Sequence, residues 1–276
     1  MLKISGSEIA KKIIDELKLK PKPEKILAVI LVDSTSSPQV GSNSSFLKQK
    51  EKIAKELGVD FRIYNFPEEI KNDDLRKEVS KIILLKKVGG IIVQLPLPPH
   101  LNPHYILNVI PREKDIDVLG ERALGAFYTG RNPVLPPSVG VVEEILKAKS
   151  YQLKAKKVAV VGLGFLVGKP IANWLMAKCP EIYLLDEGSD FEILKQADLV
   201  ISGVGKAGLI KPEMLKKDVT VIDFGCNMVN GKICGDFETN QLTNQSTNQL
   251  IYTSTPGGTG PILVAKIFEN FYKLNF

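Results

Sequence analysis

Several of the features that usually point to a chain's chemistry are scarce in this one. Three cysteines, Cys179, Cys226 and Cys234, make an odd count with no CxxC pair, which argues against a disulfide framework and a zinc site alike. Read from composition, each is a small buried hydrophobe. Only two histidines occur, His100 and His104. Both stand beside prolines in what reads as a loop, so their four-residue spacing does not place them on one helix face, and no metal is expected. The longest apolar runs, such as ILAVILV and VGGIIVQL, fall well short of the roughly 18 residues a membrane span needs. The opening MLKISGSEIAKKI also lacks a signal-peptide core. These absences predict a soluble, cytoplasmic chain with no membrane partner.

A concentrated basic patch is missing as well. The formal net charge is +6 over 276 residues, but the lysines alternate with acids and apolar residues, as in KQKEKIAKEL, which is how a solvated helix face reads. Nucleic-acid binding calls for clustered cations with aromatic platforms and is not expected. A mild positive field does favour a small anionic substrate.

What is present is ample apolar material, 44% of residues against 25% charged, enough for two modest domains with their own cores. The first half alternates helical spacing in GSEIAKKIIDELK, SSFLKQKEKIAKEL and NDDLRKEVSKIILL with strands KILAVILV, DFRIYNF and GGIIVQL. After the Pro/Gly-rich connection GAFYTGRNPVLPPSVG, the helix VVEEILKAK opens a second series. There, strands KKVAVVG, EIYLLD, DLVISGVG and VTVIDFG alternate with helices KPIANWLMAK, FEILKQA and KPEMLKK. Short β-branched strands between helices predict an α/β fold with a parallel sheet covered on both faces. The polar TNQLTNQSTNQL reads as a low-complexity surface loop or short amphipathic segment without a function.

Four places carry possible chemistry. In VAVVGLGFLVGK, Gly162 and Gly164 suit a tight turn and a close approach to a pyrophosphate at a helix N-terminus. The spacing G-x-G-x-x-x-G, ending at Gly168, departs from the dinucleotide fingerprint, so a purely architectural turn fits as well. Asp186 and Glu187 end the next strand about 20 residues on, where a carboxylate accepts from a ribose 2′-hydroxyl; an acidic turn is the bland alternative. FLKQK puts Phe46 and Lys50 on one helix face, although composition alone makes Lys50 a solvated lysine. In VQLPLPPH, Gln94 ends an apolar strand between Val93 and Leu95, at the carboxyl edge where α/β sheets bind ligands.

Taken in order, GGIIVQLPLPPH, IPREKDIDVLG, ADLVISGVGKAGLI, VIDFGCN and TSTPGGTGP resemble the methylenetetrahydrofolate dehydrogenase/cyclohydrolase family over nearly the whole chain. The resemblance implies an N-terminal α/β catalytic domain over residues 1–136, with 256–276 packing back on it. It further implies a Rossmann-like NAD(P)-binding domain over 137–255, a folate cleft and a homodimer. Two reactions follow: oxidation of 5,10-methylenetetrahydrofolate by hydride transfer to a nicotinamide, and hydrolysis of the methenyl product to 10-formyltetrahydrofolate. By the same resemblance Lys50, Gln94 and Asp117 are catalytic, with Asp117 holding the pterin. Phe46, Val93, Leu95, Pro256, Gly257, Gly258 and Gly260 line the folate, and Gly162, Leu163, Gly164, Asp186 and Cys226 hold the dinucleotide. The residue types suit these tasks. A lysine beside a cationic methenyl group is driven toward its neutral, basic form, a glutamine orients it without adding charge, and an aspartate accepts from the pterin N–H groups. Turn chemistry is the plain reading of Asp117 and the glycines.

The departures from the family pattern are directional. Phe46 stands where the family has tyrosine, so the ring remains and the hydroxyl is gone. The preceding DSTSSPQVGSNSS is longer than usual, Val118 replaces the glycine after K-D-x-D, LPPSVG replaces P-C-T-P-x-G, and GPIL replaces G-P-M-T. Leu163 and Gly164 replace Arg-Ser, and Asp186 and Glu187 replace His-Ser. Two carboxylates facing a 2′-phosphate with no arginine in the turn favour NAD over NADP. Three readings stand: a bifunctional enzyme, an NAD-linked dehydrogenase with weakened hydrolysis, and a folate- or nucleotide-binding protein without turnover.

Overall fold

The computed structural model describes residues 2–33, 45–239 and 250–276. DSTSSPQVGSNSS and TNQLTNQSTNQL lie outside the described residues, apart from their end positions. The chain opens with strand β1 (Leu2–Ile4) and helix α1 (Gly6–Lys18), whose Ile13, Ile14 and Leu17 recur at helical spacing and are buried. Then come β2 (Ile26–Val32), α2 (Ser45–Leu57), β3 (Asp60–Phe66), α3 (Asn72–Leu84) and β4 (Val88–Val93), close to the segments read from periodicity. Three helices follow: α4 (Pro103–Leu107), α5 (Glu121–Tyr128) and α6 (Pro137–Ala148). The second series is β5 (Lys157–Val161), α7 (Gly168–Leu175), β6 (Glu181–Leu185), β7 (Leu199–Ser202) and β8 (Thr220–Asp223). The chain closes with a hairpin, β9 (Asn227–Val229) and β10 (Lys232–Cys234), then β11 (Ile251–Thr253) and α8 (Thr259–Lys273).

The contacts form two compact units. One comprises Lys12–Pro137 and Val264–Phe276, the other Met1–Lys11 and Ser138–Leu263. The first is built on a parallel sheet in the order β3-β2-β4. β2, which has no polar residue, is buried along its whole length in the centre, and β4 is buried too. The second is built on a six-stranded parallel sheet in the order β1-β11-β8-β7-β5-β6. Because β5 lies between β6 and β7, the chain leaves it in opposite directions, and the carboxyl ends of β5 and β7 part at a topological switch point, the usual ligand crevice of such sheets.

Several expectations need correction. Covering on both faces fails at the edges: in β3 Ile63 is exposed, and in β6 Leu184 is exposed. β3 carries Asp60, Arg62 and Asn65 and β6 opens with Glu181, and both lie at sheet edges. KPEMLKK forms one 3-10 turn, Pro212–Met214, and FEILKQA a 3-10 stretch, Phe191–Gln196, each too short to sustain an α-helix. His104 lies in α4, where Asn102 caps the Tyr105 N–H and Pro103 takes the first turn, an N-P start signal missed in HLNPHY. None of the cysteines is buried: Cys226 is exposed, Cys179 and Cys234 partly so. Each sits in or beside a turn or edge hairpin, not in a core strand. Among the described residues no helix is long and apolar enough to cross a membrane, and no three His, Cys, Asp or Glu side chains gather as a metal site.

Candidate functional site

The buried residues of α2 are Leu47, Lys50, Ala54 and Leu57. That is one helical stripe, and a lysine occupies its second position. Lys50 is therefore 4% exposed, not the solvated residue its composition suggests. The stripe L-x-x-K-x-x-x-A-x-x-L was the available signal. Across from it, Gln94 follows the last residue of β4 and continues the ladder, its N–H donating to Ile30 O at 2.9 Å. Lys50 Nζ donates to Gln94 Oε1 at 3.0 Å and lies 5.3 Å from the Phe46 ring centroid. Val93 is buried within β4, and Leu95 is half-buried at its exit.

Electrostatics bind Asp117 to this group. Burial pulls the Lys50 pKa below its ordinary value, and the Asp117 charge partly opposes it. Burial likewise raises the Asp117 carboxyl, with Lys50 pulling it back. The site thus holds a lysine closer to its neutral form and an acid beside it.

The loop carrying Asp117 is fastened by residues that sequence reasoning passed over. Asp115, fully buried, accepts from Gly120 N at 2.7 Å and Leu119 N at 3.0 Å, and burial pushes its carboxyl up to about 6. Asn270 of α8 donates both amide hydrogens, to Ile116 O and Leu135 O at 2.8 Å each. Val118 sits at φ 57, the left-handed region that a β-branched residue resists. That explains why a glycine would suit the position, as in the family pattern.

The Pro256–Gly260 segment belongs to the six-stranded unit, with Gly260 in the first turn of α8. Gly257 sits at φ 92 and its carbonyl accepts from Gly6 N at 3.0 Å. A Cβ at Gly258 would collide with Ser254 O. Thr259 Oγ1 donates to Asp223 O at 3.0 Å. Packing therefore already accounts for Gly257 and Gly258.

At the switch point, Gly162 takes φ 84 directly after β5, and a Cβ on Gly168 would strike the Gly162 carbonyl. Gly168 opens α7, so the first and last glycines of G-x-G-x-x-x-G bring strand and helix together. Gly164 is exposed with open space around it, Leu163 is half-buried beside it, and Lys169 is exposed in the first turn of α7. Asp186 is exposed at the carboxyl end of β6, its Oδ1 accepting from Glu187 N at 3.1 Å. Cys226 lies two residues past Phe224, after β8, and its thiol is pushed up by partial desolvation and by the Asp223 charge.

Comparison with known families bears directly on this arrangement. The model of the tetrahydrofolate dehydrogenase/cyclohydrolase catalytic domain matches residues 4–117, and that of the NAD(P)-binding domain of the same family matches residues 136–275. The chain belongs to the tetrahydrofolate dehydrogenase/cyclohydrolase family. A bifunctional FolD protein of Geobacillus thermodenitrificans is 34% identical over 276 residues, covering 97% of this chain and 94% of that one. Another, from Bdellovibrio bacteriovorus, is 33% identical and covers 99% and 96%. The crystal structure of a bifunctional FolD methylenetetrahydrofolate dehydrogenase/cyclohydrolase from Campylobacter jejuni superposes with a TM-score of 0.89 at 30% identity, covering 98% and 97% of the two chains. That of the Trypanosoma brucei enzyme, complexed with NADP and an inhibitor, gives 0.87 at 25%, covering 99% and 96%. Within the family's frame, Lys50, Gln94 and Asp117 fall in the catalytic-domain match, while the Gly162 turn, Asp186 and Cys226 fall in the NAD(P)-binding match.

Proposed function

We propose that the chain oxidises 5,10-methylenetetrahydrofolate with a nicotinamide dinucleotide and hydrolyses the methenyl product to 10-formyltetrahydrofolate, in one-carbon metabolism. The carrying observation is the buried Lys50 Nζ held by Gln94 Oε1 at 3.0 Å. In the hydrolysis, neutral Lys50 takes a proton from the water whose oxygen bonds to the methenyl carbon; the carbon's bond to N5 then breaks, the added hydroxyl loses its proton as N5 gains one, and the formyl group stays on N10. Gln94 fixes the amine's direction. Asp117 accepts from the pterin N–H groups. Within the three-stranded unit, Phe46, Val93 and Leu95 shape the folate's surroundings. Gly162, Leu163, Gly164, Asp186 and Cys226 would hold the dinucleotide, which would supply the hydride acceptor.

The exposed Asp186 carboxylate, with Leu163 in place of a cation, supports NAD over NADP, since a carboxylate accepts from a ribose 2′-hydroxyl but repels a 2′-phosphate. Phe46 favours a second reading, an enzyme in which oxidation outruns hydrolysis, because its ring brings no hydroxyl to the water near Lys50. A homodimer is supported by β3, an open edge strand with the exposed Ile63. We place the enzyme in the cytoplasm.

One assay tests the proposal. Purified protein is given methylenetetrahydrofolate with NAD or NADP, and methenyl absorbance is followed as it appears and decays. Turnover with NAD exceeding that with NADP, followed by decay, is expected. No turnover with either would leave a binding protein instead.

A further inference from the structure

One buried carboxylate plays no part in the chemistry above, yet four donors converge on it. Asp236, with no exposed surface, follows the β9–β10 hairpin. Its Oδ2 accepts from Ser202 Oγ at 2.7 Å and Val204 N at 2.8 Å, and its Oδ1 from Gly205 N at 3.0 Å and Lys206 N at 2.8 Å. Three consecutive backbone N–H groups pointing at one anion form a nest, the concavity that elsewhere in proteins binds phosphate. Gly205 at φ 80 lets the backbone curl into it. Here the chain fills its own nest. Turned so that both its ends are satisfied, the Asn227 amide adds acceptance from Ala207 N at 3.2 Å.

The filled nest has a consequence at the neighbouring strand end. The loop after β7 cannot serve a phosphate, so its outer side acts as a buttress. A Cβ on Gly162 would lie 2.8 Å from Val204 Cγ2 and 3.1 Å from the Gly203 carbonyl. The turn after β5 therefore rests directly on the loop that Asp236 locks. A second buried carboxylate backs the arrangement: Asp223 accepts from Gly225 N at 2.7 Å and Phe237 N at 2.9 Å, tying the segments on either side of Cys226 and Asp236.

We infer that Asp236 is a positioning residue for dinucleotide binding, which locks the Gly203–Lys206 loop and through Val204 sets the place of the Gly162 turn. The inference rests on the proposed function of that turn. Asp236 touches no cofactor on this account. It acts by holding the main chain that supports the turn, and an unlocked loop would have to be ordered by the ligand at the expense of affinity.

The test uses the full chain and two probes, NADH and NADPH, with Kd read from nicotinamide fluorescence and methenyl hydrolysis measured in the same preparations. Hydrolysis needs no dinucleotide, so it reports on general damage. Asp236→Asn retains size but turns an N–H group toward N–H donors. It should raise the Kd of whichever dinucleotide the wild type binds by at least tenfold and lower methenyl hydrolysis by less than threefold. An unchanged Kd overturns the proposal, as does a parallel loss of both properties, which would make Asp236 mere scaffolding. If Asp236→Asn does not fold, Ser202→Ala removes one of the four donors and should weaken dinucleotide binding about threefold with hydrolysis retained; equal Kd values overturn the proposal there too. A wild type that hydrolyses methenyltetrahydrofolate but binds neither dinucleotide overturns the reading of the turn itself, and the inference falls with it.

Discussion

Lys50 Nζ meets Gln94 Oε1 at 3.0 Å across 44 residues of sequence, joining the buried stripe of a helix to the carboxyl end of a strand. A neutral amide oxygen, not a carboxylate, receives the buried amine, so the contact favours the charged form less than an ion pair would. Among the described residues, the Asp117 charge opposes the lowering of the lysine's pKa, and burial outweighs it.

Replacing this amine gives the sharpest prediction. Lys50→Met keeps an unbranched chain in a buried position and removes the base, so methenyl hydrolysis should fall by about 100-fold or more. In the wild type the hydrolysis rate should rise with pH and level off below the ordinary lysine value of 10.5, because only the neutral amine accepts a proton. Intact hydrolysis in Lys50→Met, followed by the decay of methenyl absorbance, would remove Lys50 from the mechanism.

Phe46 offers its ring to the same amine at 5.3 Å. Phe46→Tyr adds a hydroxyl at that face without changing the ring, and should raise hydrolysis several-fold while leaving oxidation close to wild type. Equal rates in a side-by-side measurement would show that the missing hydroxyl is irrelevant.

Dinucleotide choice should turn on the acid at the end of β6. Leu163→Arg combined with Asp186→Ser supplies a cation for a 2′-phosphate and removes its repulsion, so the ratio of kcat/KM for NAD over that for NADP should drop at least tenfold. A wild type that already prefers NADP would contradict the assignment of Asp186.

Cys226 provides a chemical check on the same site. It is exposed, and partial desolvation and the Asp223 charge raise its thiol above the ordinary value of 9.0, so alkylation calls for a pH above that value, where thiolate accumulates. Saturating dinucleotide should slow alkylation of the Cys226 peptide at least fivefold in mass spectra, with Cys179, beyond the far end of α7, as the internal reference. Equal labelling with and without dinucleotide would place Cys226 outside the site.

Asp115 predicts a signature in stability. Its folded pKa of about 6 lies above the ordinary 3.8, so the folded state holds the proton more tightly than the unfolded chain. The resulting stabilisation is full below 3.8 and is lost as pH rises through about 6. Asp115→Asn lacks it, so the deficit of the variant in urea denaturation should be larger at pH 4.5 than at pH 7.5 by on the order of 2 kcal/mol. The titration of Asp223 is common to both proteins and cancels. A pH-independent deficit would show that Asp115 does not titrate in that range.

Legibility differed by residue. Phe46 and Lys50 shared a face because four residues make about one helical turn, and Gln94 lay at a strand's carboxyl edge because ILAVILV and VGGIIV are too apolar to lie anywhere but in a covered sheet. Composition alone makes Lys50 a solvated lysine, and what marks it otherwise is its place in the helical stripe of Leu47, Ala54 and Leu57. Asp115, Asn270 and Asp236 gave no local signal. Their partners are backbone N–H and carbonyl groups, which every residue carries and no motif marks.

The sequence by itself determined the alternation of strands and helices, the two-part α/β organisation and the residue types at the proposed reacting centre, because periodicity and spacing are local properties of the chain. Tertiary structure alone decided that Lys50 is buried against Gln94, that β3 and β6 are edges, that Val118 adopts a left-handed backbone, and that Asp236 fills the nest of residues 204–206. Each of these depends on which distant segment covers which group, and covering, through desolvation and hydrogen bonding, is what changes a lysine's proton affinity or locks a loop.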